Sequence, residues 1–106
     1  MTTLAPFKLV TILAEPEIAD RLAEELLAQG ARGYSLTPGR GKWQRGLTSA
    51  GGRVSDWEGA NVRIETVVRA SVVDAIFAHL RAHYFPYYAL FAYTTDVAVE
   101  RPDRYS

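Results

Sequence analysis

The sequence predicts an α+β fold built on one antiparallel sheet, because strand-like and helix-like segments follow one another in the order β-α-β-β-α-β. Four segments carry the alternation or apolar runs of strands, and two carry apolar residues at helical spacing. A chain of 106 residues fits a single domain, taken here as residues 1–106, with one hydrophobic core. This order of elements is the split βαβ, or ferredoxin-like, arrangement.

The first half of the chain supplies two strands and a helix. Residues 7–13 are rich in β-branched side chains and become apolar on both faces, as a central strand requires. Pro16 suits a first helical position, and an apolar stripe at helical spacing follows it. Gly30 can end this helix by adopting a positive φ, and residues 31–38 are predicted as the second strand.

The second half repeats the pattern after an interruption. Residues 61–68 alternate as a third strand, and residues 73–84 have the spacing of an amphipathic helix, which Pro86 ends. Residues 88–94 are aromatic and apolar and are predicted as the fourth strand. Val97 and Val99 predict an extra short C-terminal strand.

Both helices of such a fold cover one face of the sheet, so the other face is bare. The strands are too apolar for that face to stay in water, and its candidate residues, depending on register, are Val10, Ile12, Val62, Ile64, Leu90 and Phe91. Burying each such side chain is worth roughly 1.5–3 kcal/mol. We therefore expect a homo-oligomer that packs through its sheets.

Overall composition argues against several classes of protein. Twelve basic and twelve acidic side chains give zero net charge, so no general field attracts nucleic acid or anionic lipid. The chain has no cysteine, no apolar run of membrane-spanning length and no signal-like start. We expect a cytoplasmic protein that neither inserts into membranes nor binds nucleic acid.

The segment at about residues 39–58 has no periodicity and concentrates the basic charge. It holds five of the eight glycines and a net charge of +2, from Arg40, Lys42, Arg45 and Arg53 against Asp56 and Glu58. Fixing so long a loop costs about 1–2 kcal/mol per residue, so we expect it to be mobile until a ligand orders it. An anion such as a phosphate group is the ligand that these residues favour. A basic, solvated surface loop without a ligand is the alternative.

Four short segments, in this order and spacing, resemble the PII-like signalling proteins. They are GARGY at residues 30–34, GRG at 39–41, ANVRIE at 60–65 and YF at 84–85. The likeness covers residues 7 to about 99 and is strongest for the bicarbonate-linked branch, the SbtB and carboxysome-associated PII proteins. The resemblance implies a trimer, adenine nucleotides in three clefts between subunits, and a ligand-sensitive T-loop at about 39–58 that contacts a target.

The resemblance also implies the residues of a ligand site. The phosphate side of the cleft would be lined by Gly39, Arg40, Gly41, Lys42 and Arg45. Tyr88 and Ala89 would lie near the base, and Thr37 near the ribose or phosphates. Trp43, Arg53, Asp56 and Glu58 are candidates for closing the loop over the ligand or for binding a second anion such as bicarbonate.

Departures from the conventional PII pattern narrow the expected ligands. Residues 39–60 contain no tyrosine for uridylylation, and residues 83–88 replace a glycine-rich phosphate loop. AMP or ADP is therefore expected, with cyclic AMP and ATP as alternatives and bicarbonate as a second ligand. No cofactor is required, and the expected partner is a bicarbonate transporter or a carboxysome component. Redox control through a pair of cysteines is excluded, because the sequence has none.

Two other function classes remain open. A small ferredoxin-like oligomeric enzyme acting on a nucleotide or other anion could use Asp56 and Glu58 as acid and base, or a metal on His79 and His83. An RNA-binding module shares the strand order, but its stacking aromatics belong on the first and third strands, and residues 61–69 contain none. We expect a sensor without catalytic or metal-binding residues.

Overall fold

The computed structural model describes residues 7–43 and 57–106, which form four strands and two α-helices. In chain order the elements are β1 (Phe7–Ala14), α1 (Pro16–Ala28), β2 (Ser35–Trp43), β3 (Trp57–Arg69), α2 (Ala70–His83) and β4 (Phe91–Val97). The predicted β-α-β-β-α-β order is confirmed.

The four strands form one antiparallel sheet in the order β2-β3-β1-β4. β1 lies in the middle and pairs along its length with β3, from Phe7 opposite Arg69 to Ala14 opposite Val62. The predicted ferredoxin-like fold is therefore confirmed. Its central strand is the apolar, β-branched segment that the sequence analysis assigned to that role.

The hydrophobic core lies between the sheet and the two helices. Val10, Ile12 and Ile64 are fully buried in it, against Leu22 of α1 and Leu80 of α2. Their expected position on the bare face is thus wrong, as it is for Val62 and Leu90, which also belong to the core or pack against it. The register decides this, because one step along a strand moves a side chain to the opposite face.

The face of the sheet away from the helices, called the open face here, is nevertheless apolar. Its residues include Leu9 and Leu13 of β1, Val67 of β3, and Phe91 and Tyr93 of β4, as the strand register and alternation place them. Phe91 and Tyr93 are 41% and 48% exposed. Phe91 is the member of the original candidate set that the structure does place on this face.

Helix α1 begins and ends where the sequence predicts. Pro16 is its first residue, and Gly30 follows its C-terminus with a φ of +120°. Residues with a side chain rarely adopt this φ, and a Cβ at residue 30 would also lie 3.2 Å from both methyl carbons of Val72 in α2. This turn therefore requires glycine. Gly30 therefore sets how the chain passes α2 before it enters β2.

The bounds of β2 and β3 differ from the sequence prediction, since β2 begins only at Ser35. β2 continues through Gly39 to Trp43, and β3 already begins at Trp57, so both ends of the expected loop are paired strand. Cross-strand hydrogen bonding outweighs the low strand propensity of these residues, and Pro38 is tolerated because β2 is an edge strand. The expected mobility of the rest of that loop concerns residues 44–56, which lie outside the described residues.

The C-terminal region also differs. β4 begins at Phe91 rather than at residue 88, and it runs to Val97. The expected extra C-terminal strand is absent from the described residues, where a 3₁₀ helix at Pro102–Arg104 follows β4. Val97 pairs with Phe7, the first described residue of β1, so Val99 has no described strand beside it.

Candidate functional site

A pocket of about 240 Å³ lies where β2, β3 and β1 meet near the T-loop end of the sheet. Its lining residues are Leu13, Thr37, Pro38, Gly39, Arg40, Gly41, Asn61 and Arg63. Leu13, Arg63 and Thr37 lie opposite one another on three adjacent strands, which places the pocket on the open face. The structure thus brings together four of the predicted site residues, Thr37, Gly39, Arg40 and Gly41.

Gly39 is needed for the shape of this pocket. It lies directly opposite Asn61, and a Cβ on residue 39 would approach Asn61 Oδ1 to 2.9 Å. The amide of Asn61 therefore approaches the backbone of residue 39 too closely for a side chain there, unless the amide moves. The glycine that the sequence analysis assigned to phosphate contact also makes room for a polar side chain from the neighbouring strand.

The pocket is positively charged. Arg40 and Arg63 line it, and none of its described lining residues is a carboxylate. In residues 7–43 and 57–106, no ion pair or side-chain hydrogen bond engages either guanidinium. Arg63, which shares the open face with Gly39, can bind an anion together with the glycine backbone through charge-assisted hydrogen bonds, and Arg40, whose strand position alternates to the other face, adds positive charge to the lining.

Asn61 is the buried polar residue of this pocket. It is 7% exposed, and within the described chain its amide makes no hydrogen bond. Leaving a buried polar group unpaired costs about 1–3 kcal/mol, so such groups are nearly always satisfied by protein, water or ligand. The amide is therefore available to a molecule that enters the pocket.

Sequence reasoning missed Leu13, Asn61 and Arg63 as lining residues. Asn61 did leave a signal, because asparagine is depleted in strands and this one begins a run of alternating apolar residues. Arg63 left none, since a basic residue on the polar side of a strand is ordinary. Their meeting with Gly39 depends on the register between β2 and β3.

The remaining predicted site residues lie away from the pocket or outside the residues that the structure describes. Lys42 and Glu58 face each other across β2 and β3 beyond the pocket, and the backbone of Trp43 ends β2. Arg45, Arg53 and Asp56 fall in residues 44–56, outside the described chain. Tyr88 and Ala89 are not brought to the pocket within one subunit. The hydroxyl of Tyr88 accepts a hydrogen bond from Arg21, and the Ala89 N–H donates one to Glu15.

A second group of ionisable side chains lies between the two helices, around an open groove of about 410 Å³. Glu25 Oε1 lies 2.7 Å from both His79 Nε2 and the Tyr84 hydroxyl, which donates to it. Arg21 Nε in turn donates to the Tyr84 hydroxyl at 3.2 Å. This network ties α1 to α2 and to the turn that follows α2.

The network also sets the ionisation of its members. Burial alone would raise the pKa of Glu25, but hydrogen bonds from His79 and Tyr84 and the nearby charges outweigh it, so this pKa lies below its usual value. Burial and the bond to Glu25 raise the pKa of Tyr84. Glu25 is thus a carboxylate held charged by its partners.

The enzyme and metal alternatives find no support in the described residues. No group of three or more His, Asp or Glu side chains in this part of the chain could hold a metal ion, and His79 is engaged by Glu25. Among the described residues that line the charged pocket, none has a carboxylate or imidazole that could act as a general base. No helix in the described ranges is long and apolar enough to span a membrane.

Comparison with known proteins identifies the family. The family described as "Nitrogen regulatory protein P-II" matches residues 7–104, so the chain belongs to the P-II family. A PII-like signalling protein from Thermus thermophilus has 41% identity, with 99% of this chain and 100% of that one covered and a TM-score of 0.78. No curated protein matches the chain in sequence.

Two structures of CPII from Thiomonas intermedia K12 are more distant in sequence. One, bound to ADP and bicarbonate, has 20% identity, full coverage of both chains and a TM-score of 0.80. The other, bound to ADP, AMP and acetate, has 19% identity, 98% coverage of both chains and a TM-score of 0.73. At these identities the likeness shows the fold alone. The predicted PII family is confirmed.

Proposed function

We propose that the protein is a homotrimeric PII-like sensor that binds AMP or ADP between subunits and signals through its T-loop. The observation that carries this proposal is the pocket itself, where Arg40 and Arg63 have no partner among residues 7–43 and 57–106 and lie beside the backbone of Gly39 and Gly41. A nucleotide phosphate group supplies the negative charge and the acceptor oxygens that these groups lack.

The size of the pocket supports a site shared between subunits. At about 240 Å³ it is below the 300–1,000 Å³ typical of pockets that bury a drug-sized ligand, so one subunit accommodates only part of a nucleotide. The pocket opens on the apolar open face, which includes Leu9 and Tyr93. Packing that face against further copies of the chain would bury the apolar residues and complete the ligand site. Tyr88 and Ala89 would then reach the base from elsewhere in the assembly.

The proposed signal passes through the strands that form the pocket. Gly39 and Asn61 lie on β2 and β3, and these two strands lead into residues 44–56, the segment that the resemblance identifies as the T-loop. A ligand at the base of the loop would select the loop conformations that bind a target. Arg45, Arg53, Asp56 and Glu58 remain proposed contacts of this loop to the nucleotide or to bicarbonate.

The proposed biological role is to report energy or inorganic-carbon status in the cytoplasm. The CPII structure bound to ADP and bicarbonate, which shares this fold, supports that pairing of ligands. A bicarbonate transporter or a carboxysome component is the proposed target, as for the bicarbonate-linked branch that the sequence resembles. AMP and ADP are favoured over cyclic AMP and ATP because they are the nucleotides bound in the CPII structures.

Isothermal titration calorimetry with AMP, ADP, ATP and cyclic AMP, each with and without bicarbonate, tests this proposal. Arg40→Ala should weaken ADP binding by at least about 1 kcal/mol, roughly fivefold in affinity, by removing one charge-assisted contact. Arg81→Ala is the matched control, since Arg81 is exposed in the last turn of α2. Light scattering should give the mass of a trimer for all three proteins. A wild-type protein that binds no adenine nucleotide, or an Arg40→Ala variant with unchanged affinity, would contradict the proposal.

A further inference from the structure

We propose that Asn61 makes the pocket selective for a small oxyanion that carries a hydroxyl group, with hydrogen carbonate as the physiological example. This inference rests on the proposed function, because the anion would bind beside the nucleotide in the same pocket. It gives the site a specificity-determining residue that the sequence analysis did not identify. The charge of the anion would be balanced by Arg63, two residues along the same face of β3.

The side chain of Asn61 lines the pocket, is 7% exposed and has no hydrogen-bond partner in the described chain. Its Oδ1 would lie 2.9 Å from a Cβ on residue 39, and the strand register places Asn61 on the open face together with Gly39 and Arg63. A buried amide in this position calls for a ligand or water that pairs both of its ends.

Asparagine presents a carbonyl oxygen that accepts and an NH₂ group that donates, whereas lysine and arginine only donate. Hydrogen carbonate can match both, because its O–H donates to Oδ1 while a charged oxygen accepts from Nδ2. A deprotonated carboxylate such as acetate has only acceptors and would leave Oδ1 unpaired. The same site therefore distinguishes two anions of similar size and equal charge.

An amide alone binds an anion weakly in water, but Arg40 and Arg63 line the same pocket without acidic partners in the described chain. Arg63 lies directly opposite both Leu13 and Thr37, so its strand position is in the middle of the pocket lining. The arginines would supply affinity for negative charge, and Asn61 would select among the anions that the arginines attract.

A singly protonated nucleotide phosphate offers the same pair of groups, an O–H and a charged oxygen. The proposal assigns Asn61 to hydrogen carbonate, because the glycine backbone and Arg40 on the β2 side of the pocket already provide donors for a phosphate. The two sources of this chemistry differ in one respect. If the phosphate were the partner, removal of the amide would weaken nucleotide binding without any bicarbonate.

The test is calorimetric titration of the ADP-saturated protein with bicarbonate and, separately, with acetate at mildly alkaline pH. The wild type should bind bicarbonate more tightly than acetate by roughly tenfold or more. Asn61→Leu has a similar volume and removes the amide, so the ratio of the two affinities should fall to about one. Gln29→Leu removes an amide at the C-terminus of α1, far along the chain from the pocket, and should keep the wild-type ratio.

Separate results would overturn the inference and the proposed function. A wild type that does not prefer bicarbonate, or an Asn61→Leu variant that keeps the preference, overturns the role of Asn61. A loss of ADP affinity in Asn61→Leu without bicarbonate, as large as the loss of bicarbonate affinity, assigns the amide to the phosphate and overturns it as well. Failure of the wild type to bind any adenine nucleotide contradicts the proposed function instead. In that case, titration of the nucleotide-free protein decides the anion preference on its own.

Thermal unfolding shows whether Asn61→Leu keeps the folded structure. Removing a buried polar group that lacks a partner should leave the ligand-free protein as stable as the wild type or more stable. Asn61→Leu should therefore unfold at an equal or higher temperature. A lower unfolding temperature would mean that the amide is satisfied within the protein, and this would overturn the inference.

Discussion

Replacing Tyr84 with phenylalanine tests the network that joins the two helices. The Tyr84 ring is 1% exposed, and its hydroxyl donates to Glu25 at 2.7 Å and accepts from Arg21 at 3.2 Å. The substitution keeps the ring and removes only these two hydrogen bonds. A hydrogen bond to a charged group contributes about 1.5–3 kcal/mol, and water reaches Glu25, whose side chain is 35% exposed. We therefore expect a loss of about 1–2 kcal/mol in the free energy of unfolding.

Urea and thermal unfolding at one fixed protein concentration measure this loss, since assembly also affects apparent stability. The expected fall in Tm is roughly 5–10 °C. Tyr88→Phe is the matched control. Its hydroxyl meets Arg21 at 3.3 Å on the exposed side, so water replaces the lost bond and the fall should be clearly smaller. Equal losses in the two variants, or no loss in Tyr84→Phe, would refute the importance of the buried network.

Three further predictions concern acid stability, a turn and assembly. The pKa of Glu25 is lower in the folded protein than its usual value near 4.5. The charged carboxylate therefore stabilises the folded state fully above pH 4.5, and this stabilisation is lost as the pH falls through the folded pKa. In Glu25→Gln, the free energy of unfolding should fall less steeply at acid pH than in the wild type. Gly30→Ala should cost about 2 kcal/mol in urea unfolding, because φ is +120° and the α2 valine methyls are 3.2 Å from the new Cβ. Gly33→Ala, with open space around its Cβ, should be close to neutral. Leu9→Glu puts a charge on the apolar open face, so light scattering should show monomers. Leu27→Glu, on the exposed side of α1, should leave the assembly intact. A trimer in both variants would contradict assembly through the sheet.

Local patterns in the sequence were sufficient for the order and type of the elements. The apolar alternation of β1, the proline that begins α1 and the glycine after it each act over a few residues, and each is found where it was predicted. The strand ends were less accessible to sequence reasoning. β2 runs through Pro38 and Gly39 because β3 provides hydrogen-bond partners, and that pairing joins residues some twenty positions apart.

The candidate site divides in the same way. The segment of glycine and basic residues that begins at Gly39 is visible in the sequence, and three of its proposed ligand contacts, together with Thr37 just before it, do line one pocket. The β3 side of that pocket is not visible there. Asn61 and Arg63 lie in the segment 60–65 that carries part of the family resemblance, but nothing local marks either side chain as a ligand contact. For Tyr88 the sequence predicted a position near the base of a nucleotide. Within one subunit, its hydroxyl instead accepts a hydrogen bond from Arg21.

The sequence by itself determined the βαββαβ order, the family, and a cluster of glycine and positive charge between two strands. Only the tertiary structure decided which apolar residues form the core and which lie on the open face, because a shift of one residue in register exchanges the two faces. It also decided that Asn61 lies over Gly39, buried and without a partner in the described chain, beside two unpaired arginines. These contacts between side chains of β2 and β3 depend on pairing between distant segments, and no local pattern of residues encodes them.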